Sequence, residues 1–116
     1  MPQDTATPTP ALMLDTRKTA TETTVLCKGK ITSDTAPLLQ STVRPLISES
    51  KRIVLDLTDV NYLDSSGIGA LVSLWVATRK AHCELKLINL SQRIKEMLGI
   101  SNLSKVLEGD QEYFGM

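Results

Sequence analysis

Apolar positions change their spacing several times along the chain, and each change marks an element. Leu12 and Leu14 alternate with Met13 and Asp15, the period of a strand with one buried face. A second extended run follows at Thr23, Val25, Leu26, Cys27 and Lys28, and the polar stretch from Lys18 to Glu22 between the two serves as a hairpin connection. Ser33 and Asp34 offer N-caps to a helical pattern at Ala36, Leu39, Val43, Leu46 and Ile47. Pro45 sits inside that pattern and removes one backbone hydrogen bond, which predicts a kink or break near Arg44. Ile53–Leu57 is nearly continuous in apolar residues, as in a strand buried on both faces, and a short connection carrying Asp59 and Asn61 follows.

From Ser66 to His82 the spacing becomes helical again. Ile68, Leu71, Val72 and Trp75 form the apolar stripe, and Ala70, Leu74, Ala77 and Ala81 extend it around the side, so this helix must lie against a sheet. Glu84 to Ile88 is a further strand. Ser91 caps a short helix with Ile94, Met97 and Leu98 inward, and Gly99 suits the left-handed position that ends it. Val106–Leu107 reads as a last short strand, and the closing GDQEYFGM shows no clear helix. The Pro- and Thr-rich stretch Met1 to Pro10 has nothing to bury and reads as a disordered tail ahead of a single domain over 11–116. Alternation of strand and helix requires parallel strands with right-handed crossovers, and the initial hairpin adds an antiparallel edge. The expected fold class is α/β: a mixed β-sheet with an N-terminal antiparallel hairpin, covered by helices.

Composition narrows the function. Thirteen Lys+Arg balance thirteen Asp+Glu, so the clustered positive excess of a nucleic-acid binder is missing. Aromatics are only 3% of residues, too few for stacking platforms or ligand cages. No apolar run approaches the roughly 20 residues of a membrane span, and the N-terminal residues lack a signal-peptide pattern, so a cytoplasmic protein without membrane insertion is expected. Two cysteines, Cys27 and Cys83, make neither a metal cluster nor a disulfide framework. Both fall in predicted strands and read as buried structural thiols, Trp75 reads as core, and Lys51, Arg52, Arg79 and Lys80 read as a solvated rim.

The segment Tyr62-Leu63-Asp64-Ser65-Ser66-Gly67-Ile68-Gly69 stands between a buried strand and an apolar helix, at the carboxyl end of that strand. Open α/β sheets carry their functional surfaces there. One reading is structural: Asp and Ser are favoured N-caps, and Gly67 and Gly69 allow close packing of helix on sheet. A serine nucleophile is disfavoured because the Gly-x-Ser-x-Gly elbow is absent and the one histidine, His82, lies sixteen residues along the same helix from Ser66, roughly 24 Å at helical rise. A dinucleotide site lacks its third glycine, which would fall at Val72, and no phosphate-loop lysine follows. The fourth reading is a phosphoacceptor. A phosphoserine at a helix N-terminus meets unpaired N–H groups and the positive end of the dipole, while adding about −1.5 to −2 charges beside Asp59 and Asp64.

The run Val54-Leu55-Asp56-Leu57, Val60, Tyr62 to Gly69 and Leu71 resembles the signature of the anti-sigma factor antagonist family, the bacterial STAS domains, and the resemblance extends from about Leu12 to Leu107. It implies a STAS-like single domain and a non-enzymatic regulator without cofactor or metal. The serine before the glycine, Ser66, would be the phosphoacceptor, with Ser65 the second candidate. It also implies partner switching. The unphosphorylated antagonist binds an anti-sigma factor with serine kinase activity and releases the sigma factor; phosphorylation breaks that complex, and a serine phosphatase resets it. Asp64, Gly67 and Ile68 would shape the switch, with Gly67 leaving the helix start uncluttered, and Thr32, Ser33 and Asp34 would border the docking surface. The family's motif after the second strand, Gly-Glu-Leu-Asp-x-x-Thr-Ala, is here Gly29-Lys30-Ile31-Thr32-Ser33-Asp34-Thr35-Ala36, so Thr32 replaces an aspartate that in the family lies close to the phosphoacceptor. Two rival readings are a STAS-type scaffold subunit of a sensory complex, with Ser66 merely a cap, and a small-ligand or nucleotide-binding domain.

Overall fold

The computed structural model describes residues 10–98. The tail read over Met1–Pro10 (Pro10 apart), the Gly99 helix stop, the Val106–Leu107 strand and the closing GDQEYFGM lie outside these residues. The described chain runs β1 (Leu12–Lys18), β2 (Glu22–Ile31), α1 (Ala36–Ile47), β3 (Arg52–Leu63), α2 (Ser65–Lys80), β4 (Glu84–Ile88) and α3 (Gln92–Met97). The strands form one sheet in the order β1-β2-β3-β4. β1 and β2 are antiparallel, with Leu14 opposite Cys27; β2, β3 and β4 are parallel, with Val25, Leu55 and Leu87 side by side. This is the predicted mixed sheet with its antiparallel edge. Thr19 closes the hairpin, its N–H donating to the Glu22 carbonyl at 2.8 Å and its hydroxyl oxygen accepting from the Glu22 N–H at 3.1 Å.

Strand alternation sorts the two faces. Val25, Cys27, Ile53, Leu55, Leu57, Leu85 and Leu87 share one core with Leu39, Val43, Leu71, Leu74, Ile94 and Leu98 of the three helices. Each such side chain contributes about 1.5–3 kcal/mol by leaving water. The opposite face carries Thr24, Leu26, Val54, Asp56 and Lys86, of which only Val54 is buried. The expectation that residues 53–57 are buried on both sides therefore holds at Val54 and fails at Asp56.

The structure corrects several boundaries. β3 does not stop at Leu57 but runs to Leu63, and the expected connection at Asp59 and Asn61 is strand. Pairing with β2 slips twice, between Leu26 and Lys28 and between Gly29 and Lys30, each time with an extra residue on β3. Such bulges break the period of two, so Leu57, Val60 and Leu63 are buried at a spacing of three. α1 is entered from Thr35 rather than from Ser33 or Asp34. The Thr32 carbonyl accepts from the Thr35 and Ala36 N–H groups at 3.1 and 2.7 Å, so the chain has already turned before the helix begins. Pro45 does not break α1, which continues to Ile47; it falls in the last turn, where its missing N–H forfeits a single bond.

α2 begins at Ser65 and ends at Lys80, so His82 lies beyond it rather than on its last turn. His82 takes a left-handed backbone, φ 59. Its N–H donates to the Arg79 carbonyl at 3.2 Å and the Cys83 N–H to the Thr78 carbonyl at 2.9 Å, the paired bonds of a Schellman stop. Cys83 is buried just ahead of β4, not within it. Trp75 is half-buried against the core, with the Arg79 guanidinium 5.0 Å from its ring centre. Arg52 reaches Glu84 at 2.7 Å and Glu22 at 3.4 Å, so it is engaged across neighbouring strands rather than freely solvated. Ser91 caps α3 as expected, accepting from the Ile94 N–H at 3.1 Å.

Two outcomes follow for stability. A side chain in the left-handed region costs roughly 1 kcal/mol that glycine avoids, partly offset by glycine's looser unfolded state. His82→Gly should raise stability by up to about 1 kcal/mol, read as a higher urea midpoint; a lower midpoint contradicts the role assigned to this turn. Burial, aided by the Asp56 charge, pushes the Cys27 thiol from 9.0 up to about 12. A raised folded pKa means that its contribution is complete below pH 9.0 and is lost as pH climbs from there towards 12. Stability should fall by up to about 1.4 kcal/mol per pH unit in that window from this group. Cys27→Ala should remove that component, as read from urea melts at pH 8, 9 and 10.

Candidate functional site

Parallel strands deliver β2 and β3 to the same end of the sheet, where both turn into helices. Asp64 is the residue between β3 and α2, and every polar group it offers is used. Its Oδ1 accepts from the Gly67 N–H at 2.9 Å, the bond of a helix cap. Its Oδ2 accepts from the Ser33 N–H at 3.2 Å, reaching across to the β2–α1 loop. Its own N–H donates to the Ile31 carbonyl at 3.2 Å, and its carbonyl receives the Ile68 N–H at 3.0 Å. One carboxylate thus fixes the start of α2 and the neighbouring loop together.

Gly67 is buried, and a Cβ built on it would stand 2.0 Å from the Ile31 carbonyl oxygen. That distance excludes any side chain, so Gly67 serves the close crossing of α2 over the end of β2 rather than access to the serine. Gly69 differs: a Cβ there would meet none of the described residues within 4 Å. The expectation that both glycines permit close packing holds for Gly67, while Gly69 packs against nothing among the described residues.

Ser65 and Ser66 are the first two residues of α2, and both are exposed. Ile68 is half-buried against the core and anchors the turn that carries them. Across from them, Ser33 and Asp34 are exposed and Thr32 is half-buried. Thr32 Oγ1 accepts from the Asp34 N–H at 3.3 Å, so Thr32 is committed to its own loop. The sequence-predicted residues therefore converge through the contact between Asp64 and Ser33. Thr35 went unrecognised. It is 7% exposed, its hydroxyl donates to the Lys30 carbonyl at 2.7 Å and its oxygen accepts from the Thr32 N–H at 2.8 Å. The Thr32-x-x-Thr35 spacing, that of a capping box with Thr in place of Glu, was the available signal.

Asp56, part of the motif, belongs to the scaffold. Burial alone would raise its carboxyl pKa, but the Thr58 hydroxyl and N–H and the Asn89 amide donate to it and hold it below the ordinary value. Among the described residues no group of three or more His, Cys, Asp or Glu could hold a metal, and no helix is long and apolar enough to cross a membrane. What the site offers is the exposed Ser66 hydroxyl at the positive end of α2. A phosphate on that hydroxyl would be favoured by the dipole.

Comparison with known proteins gives the family and the fold. The STAS domain family model matches residues 13–113. The chain is 30% identical over 95 residues to the anti-sigma-B factor antagonist of Bacillus subtilis, covering 82% of this chain and 87% of that protein. In fold it is similar to the anti-sigma factor antagonist SpoIIAA in its unphosphorylated form, with a TM-score of 0.65 at 12% identity over 86% of this chain and 97% of that one. It is also similar to the phosphorylated form of SpoIIAA, with a TM-score of 0.65 at 17% identity over 81% of this chain and 86% of that one. With its sheet order, its capped serine turn and a family model that spans most of its length, the chain belongs to the STAS domain family.

Proposed function

We propose that this protein is an anti-sigma factor antagonist whose hold on its partner is switched by phosphorylation of Ser66. One observation carries the reading: Ser66 is exposed on the first turn of α2, while the residues around it are fixed by Asp64 and Gly67. Its relatives named as anti-sigma-B factor antagonists, and a structural neighbour known in both phosphorylation states, support the same reading. Ser65, equally exposed, is the second candidate acceptor.

In this reading the unmodified surface formed by Asp64, Ser65, Ser66, Ile68 and the loop Thr32-Ser33-Asp34 docks on an anti-sigma factor that is also a serine kinase. The kinase transfers a phosphoryl group from ATP to the Ser66 oxygen, and the hydroxyl proton leaves. The phosphate adds about −1.5 to −2 charges beside the Asp64 and Asp34 carboxylates. The dipole at the start of α2 favours that charge in the free protein, whereas burial against a partner strips its water. The fold therefore tolerates the modification and the interface does not. A loss of about 2.8 kcal/mol at the contact weakens binding roughly 100-fold, enough to release the partner. A serine phosphatase restores the docking surface. The protein is then a regulator acting in the cytoplasm and not a catalyst; the phosphoryl transfer is its partner's chemistry.

Paired variants test this. Ser66→Asp should keep or slightly raise stability, because Asp suits a helix start, and should weaken binding to the anti-sigma factor by roughly 100-fold. Ser66→Ala should fold, bind and resist phosphorylation. Calorimetric titration reads both, and equal affinity of Ser66→Asp and wild type would contradict the switch. A further variant addresses the departure at Thr32: Thr32→Asp should raise the phosphorylation rate at Ser66 with labelled ATP. An unchanged rate would mean that the kinase does not read this loop.

A further inference from the structure

We propose that Lys30 is a specificity-determining residue of the docking surface, selecting an anti-sigma factor that presents an aspartate or glutamate carboxylate to it. The proposal rests on the functional reading above and names the chemistry that the partner must bring. What carries it is how firmly the chain places this one side chain. Gly29 takes a left-handed backbone, φ 122, and a Cβ on it would stand 2.1 Å from the Ala11 carbonyl oxygen, which excludes any side chain. That same carbonyl accepts from the Lys30 N–H at 2.9 Å, and the Lys30 carbonyl accepts from the buried Thr35 hydroxyl at 2.7 Å. Between Gly29 and Lys30 the pairing with β3 slips past Asn61 and sets Lys30 beside Tyr62. Bulges of this kind re-aim a side chain. The next pair, Ile31 and Leu63, points into the core, so Lys30 and Tyr62 leave the opposite face of the sheet, and both are exposed. Lys30 thus stands at the rim of the docking surface, two residues before Thr32 and tied to that loop through Thr35.

Charge decides what it selects. The same end of the sheet bears Asp34, Asp59 and Asp64, yet none of them pairs with Lys30. Among the described residues its ammonium group has no ion-pair or hydrogen-bond partner. A lysine held at its backbone and open at its head is a compact cation that an oxygen anion satisfies. Where docking displaces water, a carboxylate opposite it is favoured and a cation is repelled. The family's motif has glutamate at this position, the opposite sign. A partner that presents a cation to such a glutamate would meet like charge at Lys30 and be rejected, so repulsion contributes to specificity as well as attraction. Lys28 supplies the comparison: it is exposed too, but it lies opposite Asp59 and two residues farther from the loop.

Two measurements on the full chain test this. A water-soluble carbodiimide, which joins an amine to a carboxyl group in contact with it, is applied to the wild-type chain alone and mixed with the proposed anti-sigma factor kinase. Mass spectrometry should find Lys30 linked to an aspartate or glutamate of the partner, and only in the mixture. A complex without that link, or a link from Lys30 to a carboxyl group of its own chain, Asp4 and Glu112 included, overturns the inference. Calorimetric titration and urea denaturation then compare wild type, Lys30→Glu, Lys30→Arg, Lys28→Glu and Ser66→Asp. Lys30→Glu should bind at least about tenfold more weakly, Lys30→Arg like wild type and Lys28→Glu within about threefold of it. The loss in Lys30→Glu should shrink in high NaCl, and its urea midpoint should match wild type. Lys30→Glu binding no more weakly than Lys28→Glu, while Ser66→Asp loses binding, overturns the inference and leaves the switch standing. If Ser66→Asp also binds like wild type, the functional reading fails with it. A lower urea midpoint for Lys30→Glu would assign Lys30 to the fold and overturn the inference as well.

Discussion

The Ile31 carbonyl and the Asp64 carboxylate together fix where two strand–helix turns meet, and the rest of the functional surface depends on them. The carbonyl accepts the Asp64 N–H and lies so close to α2 that only glycine fits at 67. The carboxylate spans the gap in the other direction, holding Gly67 with one oxygen and Ser33 with the other. Removing either contact would leave polar groups unpaired near the core and free the β2–α1 loop from the helix it borders. Ser66 needs no contact of its own to be positioned, because its neighbours on both sides are held.

This division of labour explains how a charge can be added without disturbing the fold. The residues that build the turn (Asp64, Gly67, Ile68, Thr35) are buried or half-buried and fully engaged, whereas Ser65, Ser66, Ser33 and Asp34 face solvent. A phosphate on Ser66 would join the solvent-facing set and meet the helix dipole in its favourable sense. In the proposed switch the fold stays constant between states, and the change is read by a partner that must desolvate that phosphate.

Much of this was legible in the sequence. Alternation at Leu12–Asp15, the apolar run at Ile53–Leu57 and the helical spacing from Ile68 to Trp75 were enough for a mixed sheet covered by helices and for its antiparallel edge. The serine turn stood out as a polar run between a buried strand and an apolar helix. What escaped was whatever depends on contacts distant in sequence. The bulges in β3 hid a strand behind a spacing of three, because their cause is pairing with β2. The need for glycine at 67 was hidden too, since the Ile31 carbonyl that imposes it is far away in sequence. His82 read as a helix residue because glycine is the usual left-handed stop, and nothing local announced that a histidine holds that place.

The central claim is that Ser66 receives the phosphate, and site localisation tests it most directly. The protein is incubated with the proposed anti-sigma factor kinase and ATP, digested, and the phosphopeptides are fragmented by mass spectrometry. The account predicts a single phosphate on Ser66. Phosphate on another residue, or none while the kinase modifies a control substrate, would contradict it.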